Sequence, residues 1–146
     1  MSEERTPKRP LPSPEDPLVT EFWEHCNRGE LRFQRCSECG SWRHLPRFAC
    51  AECGSDRWTW ELSSGRGRIH SWTITHQPLL RDFPEPVPYA VVVVEMDEGV
   101  RIVSGLRSLA PSALELELPV EVLFETVAEG VRFPFFAPRS TGSRRF

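Results

Sequence analysis

No apolar run in this sequence approaches the ~20 residues that a helix needs to cross a bilayer. The opening stretch, Met1 to Pro12, is charged and proline-rich where a signal peptide would be apolar, so the expectation is a soluble, cytoplasmic protein. Catalytic groupings are equally scarce. His25, His44, His70 and His76 are scattered, and no serine or cysteine stands in a nucleophile elbow or has a recognisable base beside it. His70 and His76 share a strand face by parity, but six residues of extended chain set them about 20 Å apart, too far for joint ligation or proton relay. A chain that is catalytic by itself is therefore not expected. Charge of one sign is lacking too. The net charge is -3, with arginines outnumbering acids from residue 28 to 68 and acids prevailing from 82 to 129. A groove that tracks a phosphate backbone needs a continuous basic path, which the acidic second half withholds.

Cysteine is also sparse, five in all, yet four of the five are paired: Cys36-Ser37-Glu38-Cys39-Gly40 and Cys50-Ala51-Glu52-Cys53-Gly54. Two such knuckles place four thiolates where they close a tetrahedron on one soft divalent ion, and the glycine after each pair lets the backbone turn back so that its amides face the sulfurs. This spacing predicts a structural zinc ribbon with Cys36, Cys39, Cys50 and Cys53 as ligands. Four sulfurs leave no position for water or substrate, so the metal would hold the fold and do no chemistry. Softness and geometry suit iron as well as zinc, and the residues leave that choice open. Two disulfides are the competing reading, disfavoured because paired CxxC knuckles without a signal peptide more often bind metal. Such a metal is worth on the order of 10 kcal/mol, enough to fold a module with few buried side chains. Cys26 stands apart from the knuckles and reads as a small buried hydrophobe.

Taken in order, residues 1–15 form a proline-rich flexible arm. Asp16-Pro17 opens and Arg28-Gly29 closes a helix within 16–30, with Leu18, Val19, Phe22, Trp23 and Cys26 on one apolar face. Residues 31–63 form the ribbon. From Ser64-Gly65-Arg66-Gly67 the period changes to two, and about five strands follow within 64–138, with 139–146 left as a flexible tail. The run Tyr89 to Glu95 reads as a strand buried on both sides, and Glu95, Asp97 and Glu98 as solvent-facing groups around a turn. Five strands with tight turns suit a small closed barrel of the OB-fold type, an open antiparallel sheet being the alternative. The fold class expected is thus mainly β: an N-terminal helix, a rubredoxin-like zinc ribbon, then a five-stranded OB-fold barrel.

Phe22-Trp23 on the helix, the Leu31 to Cys39 lead-in, the double CxxCG, Ser64-Gly65-Arg66-Gly67 before Ser71-Trp72-Thr73, Pro88-Tyr89 with its valine-rich strand, and Glu98-Gly99-Val100 carry a resemblance. From about Leu18 to Phe136 the chain resembles the bacterial and archaeal rubredoxin-like zinc-ribbon plus OB-fold proteins, long known only as a domain of unknown function. The resemblance implies a non-catalytic accessory subunit that partners thiolase-like acyl-CoA enzymes. Among these are archaeal acetoacetyl-CoA thiolases and hydroxymethylglutaryl-CoA synthases, benzoylsuccinyl-CoA thiolase, and aldolases that remove the side chain of steroid acyl-CoA esters. Some members are fused to hydratases. The partner would supply the catalytic residues, while ribbon and barrel shape the interface and help admit the CoA ester.

On that reading Phe22, Trp23, Phe133, Phe135 and Phe136 are candidate partner contacts, because they add more hydrophobic material than a small barrel buries. Arg43, Arg47 and Arg66 are candidates to meet CoA phosphates at the joint. The alternative from another class is a single-stranded nucleic-acid binder, with Trp42, Trp58, Trp60 and Trp72 stacking bases beside neighbouring arginines.

Overall fold

Asp16 and Pro17 start the helix as the sequence predicts. The Asp16 carboxylate accepts hydrogen bonds from the backbone N–H of Leu18 at 2.9 Å and of Val19 at 3.4 Å, and Pro17 fills the first helical position, where an N–H has no partner to lose. Helix α1 (Pro17–Asn27) ends in a Schellman turn: the Gly29 N–H reaches the Cys26 carbonyl, the Glu30 N–H reaches that of His25, and Gly29 sits at φ 76°. Leu18, Phe22 and Cys26, spaced one turn apart, form its buried stripe. The computed structural model describes residues 9–139, so the expected arm up to residue 8 and the expected tail beyond Arg139 lie outside the described residues. Residues 9–13 run without helix or strand.

The ribbon is a three-stranded antiparallel sheet in the order β2-β1-β3, from β1 (Arg32–Cys36), β2 (Trp42–Arg43) and β3 (Trp58–Leu62). The barrel follows: β4 (Arg66–Thr75), β5 (Tyr89–Met96), β6 (Arg101–Gly105), β7 (Pro119–Ala128) and β8 (Val131–Pro138), in the order β6-β5-β4-β7-β8. Its two outer strands meet at one end, where Leu106 bridges Phe136 in parallel and the Arg107 N–H donates to the Phe136 carbonyl at 2.8 Å. The fold is thus mainly β, with helix, ribbon and OB-type barrel in the expected order. One core joins all three parts, since Phe22, Cys26, Leu31 and Phe33 pack in the same cluster as Ile69, Val92, Val94, Val120 and Phe136.

Three local expectations need correction. The valine run of β5 is not buried on both sides: Ala90, Val92, Val94 and Met96 are buried, whereas Tyr89, Val91 and Val93 on the other face are only half-buried. Double burial belongs to β8, where Pro134, Phe135, Phe136 and Ala137 are consecutively covered: α1 packs against that strand and the Arg107 and Arg9 guanidinium groups lie over Phe135. The shared face expected for His70 and His76 is lost, because a bulge between Ile69 and Ser71 flips the side-chain parity within β4. Finally, Glu98 does not simply face solvent. Its carboxylate accepts from the Ser63 hydroxyl and from the Ser64 N–H, both at 2.8 Å, and so fastens the turn after β5 to the segment leaving the ribbon.

Candidate functional site

The two knuckles are the same turn made twice. Gly40 donates its N–H to the Cys36 carbonyl at 3.0 Å and Gly54 donates to the Cys50 carbonyl at 2.8 Å, and both glycines have φ 78°. Each first cysteine is held from the far side, Cys36 N–H by the Ser41 carbonyl and Cys50 N–H by that of Ser55. This brings Cys36, Cys39, Cys50 and Cys53 together, with all four sulfurs within 4.8 Å of one another. Cys36 and Cys53 sulfurs are 3.6 Å apart, as are those of Cys39 and Cys50. A tetrahedron of Zn–S bonds near 2.3 Å has edges of about 3.8 Å, so the donor set fits such an ion. The Cys39 backbone N–H, aided by that of Glu38, brings the Cys36 thiol down to about 6, and the Cys53 N–H lowers Cys50 in the same way. The Ser55 N–H lowers Cys53, but its three sulfur neighbours and burial push that thiol up to about 12. Four sulfurs this close cannot all be anionic without a cation among them.

Buried Gln34 shapes the arm between the knuckles. Its side-chain oxygen accepts from the Arg47 N–H at 2.7 Å and from Arg43 Nε at 3.0 Å, while its amide donates to the Arg47 carbonyl at 3.0 Å. Arg43 Nη2 adds a bond to that carbonyl at 2.8 Å, and the guanidinium lies over Trp58. Arg43 and Arg47 are therefore brought together, with Nε and Nη2 of Arg43 holding the arm while its Nη1 is buried without a hydrogen-bond partner among the described residues. The Arg47 side chain is exposed nearby, and Arg66 is exposed at the start of β4.

None of the three lines an apolar groove of about 460 Å³ between α1, the arm, β5, β6, β8 and the β4–β5 loop. Phe22, Trp23, Phe133 and Phe135 do line it. Phe136 does not, because its side chain is fully buried inside the barrel. Trp23 packs on Phe133 with ring centroids 4.9 Å apart. At one end of the groove Glu85 accepts from Arg9 at 2.8 Å and from Arg107 at 2.7 Å, and Arg107 also binds Glu125 through two bonds of 2.6 and 3.0 Å. Burial raises the Glu85 carboxyl, but the bonds from Arg107 and Arg9 outweigh it and the net shift is downward. The Arg107 guanidinium stacks 3.9 Å from the centre of the Phe135 ring, and Arg9 lies over Phe83 and Phe135. His44 lines the groove between Phe22 and Phe33, and burial lowers its pKa to about 4, so the imidazole is neutral at pH 7. Gln34, His44 and the Glu85 cluster were not singled out as site residues from the sequence. The partners of Glu85 lie 76 and 22 residues away, and no local pattern signals them.

Among the described residues no helix is long and apolar enough to cross a membrane. Residues 23–59 match the family model described as ChsH2, rubredoxin-like zinc ribbon domain, and residues 60–125 match ChsH2, C-terminal OB-fold domain. The chain is 33% identical over 139 residues to a probable enoyl-CoA hydratase alpha subunit of Thermomonospora curvata, covering 92% of this chain and 42% of that protein. It is 34% identical to the 3-oxo-4,17-pregnadiene-20-carboxyl-CoA hydratase alpha subunit of Mycobacterium tuberculosis, covering 70% of this chain and 32% of that one. The chain thus spans less than half the length of these two relatives. A DUF35 domain-containing scaffold protein of Methanothermobacter thermautotrophicus is 35% identical, with 73% of this chain and 81% of that protein covered. Among solved structures, a chain of a Ltp2-ChsH2(DUF35) aldolase superposes with a TM-score of 0.79 at 30% identity, over 89% of this chain and 98% of that one. With both models matched in order and a scaffold relative matched over most of its length, the chain belongs to the ChsH2-type DUF35 family of rubredoxin-like zinc-ribbon plus OB-fold proteins.

Proposed function

We propose that this chain is a non-catalytic accessory subunit of an acyl-CoA enzyme, a thiolase-like aldolase or a hydratase, and that it acts in the cytoplasm. The observation that carries the reading is the likeness, over nearly the full length of both chains, to a chain of the Ltp2-ChsH2(DUF35) aldolase. Hydratase alpha subunits among its relatives support the same class of chemistry. Its own residues agree with a supporting role. The four-sulfur centre leaves no open coordination position, and Zn²⁺ there would stiffen the ribbon without touching substrate. The ribbon (31–63) and barrel (64–138) act as one body through their common core, with the helix (16–30) packed against both. Trp23 and Phe133 offer half-buried aromatic surface to the partner, and Arg47 and Arg66 keep exposed guanidinium groups for CoA phosphates.

Co-expression with thiolase-like and hydratase candidates, followed by size-exclusion chromatography with light scattering, tests this. A stable hetero-oligomer with one of them is expected. Elution of the chain as a separate species from every candidate would overturn it.

A further inference from the structure

A charged side chain occupies the aromatic end of the groove. Arg9 belongs to segment 9–13, which carries no helix or strand, yet its side chain is only 15% exposed. The guanidinium carbon lies 5.0, 5.8 and 5.4 Å from the ring centres of Phe83, Phe133 and Phe135, and Nη2 donates to Glu85 at 2.8 Å. Three rings and a carboxylate compensate this cation for the water it has lost. Little else holds the segment. Pro10, Leu11 and Ser13 are exposed, and among the described residues 10–13 make no backbone hydrogen bond to the ribbon or barrel. One side chain thus carries the attachment of the whole segment, against the conformational entropy lost in ordering it. Opposed terms of this kind leave the attached and detached states close in free energy.

Detachment leaves the barrel intact. Glu85 keeps Arg107 at 2.7 Å, and Arg107 keeps both Glu125 and its place 3.9 Å from the centre of the Phe135 ring, so the Glu85 charge stays paired when Arg9 leaves. What changes is the groove, because Arg9 is part of its wall and covers Phe83 and Phe133. Phe133 is one of the two rings offered to the partner, and a partner side chain cannot take the ring face on which the guanidinium rests. We propose that residues 9–13 are a strap: in the free chain Arg9 closes the Phe83, Phe133 and Phe135 end of the groove, and docking of the acyl-CoA enzyme displaces it. The inference rests on the reading of the chain as a subunit of such an enzyme. The strap keeps aromatic surface from water until the partner covers it. It also competes with docking, since only molecules with the strap open present the full surface.

The test compares the full-length chain with its Arg9→Ala variant, the fold of each checked by circular dichroism. The probe is N-phenyl-1-naphthylamine, an uncharged dye that fluoresces on leaving water, and NMR follows the Arg9 side chain of the unaltered protein. Ring currents should shift the Arg9 methylene protons in the free chain, and adding the partner should return them to unshifted positions. The variant should bind the dye at least about fivefold more tightly, and associate with the partner more tightly by a similar factor, as the loss of a closed competing state requires. Unshifted Arg9 protons in the free chain overturn the proposal, as does equal dye affinity in the two proteins. Ring shifts that survive partner binding overturn it too. So does weaker association of the variant, because Arg9 is then part of the docking surface. If no acyl-CoA enzyme binds either protein, the functional reading fails and displacement by the partner fails with it, while the ring shifts and the dye still decide whether the strap exists.

Discussion

The Glu98 carboxylate accepts a hydrogen bond from the Ser63 hydroxyl at 2.8 Å, across 35 positions of sequence. Ser63 leaves the ribbon, and Glu98 lies in the turn between β5 and β6, so this contact and the neighbouring one to the Ser64 N–H fix the angle at which ribbon meets barrel. Replacing Glu98 by Ala should cost about 1–3 kcal/mol in urea unfolding, the usual loss for hydrogen bonds to a charged group. A change within about 0.5 kcal/mol would mark Glu98 as ordinary surface.

Gly67 explains why the turn before the barrel reads Gly-Arg-Gly. A Cβ at this position would lie 2.5 Å from the Glu95 carbonyl oxygen and 2.7 Å from Val94 Cγ1, with backbone on one side and core on the other. Gly67→Ala should destabilise the chain by about 2–3 kcal/mol through overpacking. Gly99→Ala should cost about 1 kcal/mol, because only its φ of +93° is at issue and nothing lies within 4 Å. Equal melting temperatures for the two variants would contradict this assignment.

His44 should make stability depend on pH. Folding holds its imidazole neutral, with the pKa lowered from 6.5 to about 4 by burial, so the unfolded chain takes up the proton first as pH falls. The contribution is complete above pH 6.5 and is lost as pH falls from 6.5 to about 4, up to roughly 3 kcal/mol in all. Protonation of the four-cysteine cluster also acts in acid, so the signal is the difference from a His44→Phe variant. That difference should change across this window, and parallel stability curves would contradict it.

Thiol reactivity should separate the four-cysteine cluster from the core. In metal-loaded protein none of the five cysteines should react with maleimide. A chelator should expose Cys36, Cys39, Cys50 and Cys53, while Cys26, with no exposed surface and its thiol pushed up to about 12, reacts only on global unfolding. Early labelling of Cys26 would show that the chelator unfolds the shared core as well.

The parts of this fold that were legible in the sequence are those governed by neighbours. Asp16-Pro17 and Gly29 bound a helix by local capping, and each CxxCG folds on itself through a bond within five residues. The grouping of the four sulfurs follows from spacing alone. What was hidden depends on distant partners. Whether β5 or β8 is covered on both faces depends on where α1 docks, and the valine run gives no sign of it. The bulge beside His70 needs the register of β5 to be seen at all. Phe136, offered as a partner contact, turns into the barrel by strand parity, whereas Phe133 and Phe135 turn toward the groove. The Glu85 cluster draws its two arginines from either side of it in sequence, 76 and 22 positions away.

Turnover of an acyl-CoA ester by three samples, the purified chain, the partner enzyme and the reconstituted complex, tests the central claim most directly. The account predicts no product from the chain alone and a rate from the complex that exceeds that of the isolated partner. Product formed by the chain alone, or a partner whose rate and stability are unchanged by adding it, would contradict the account.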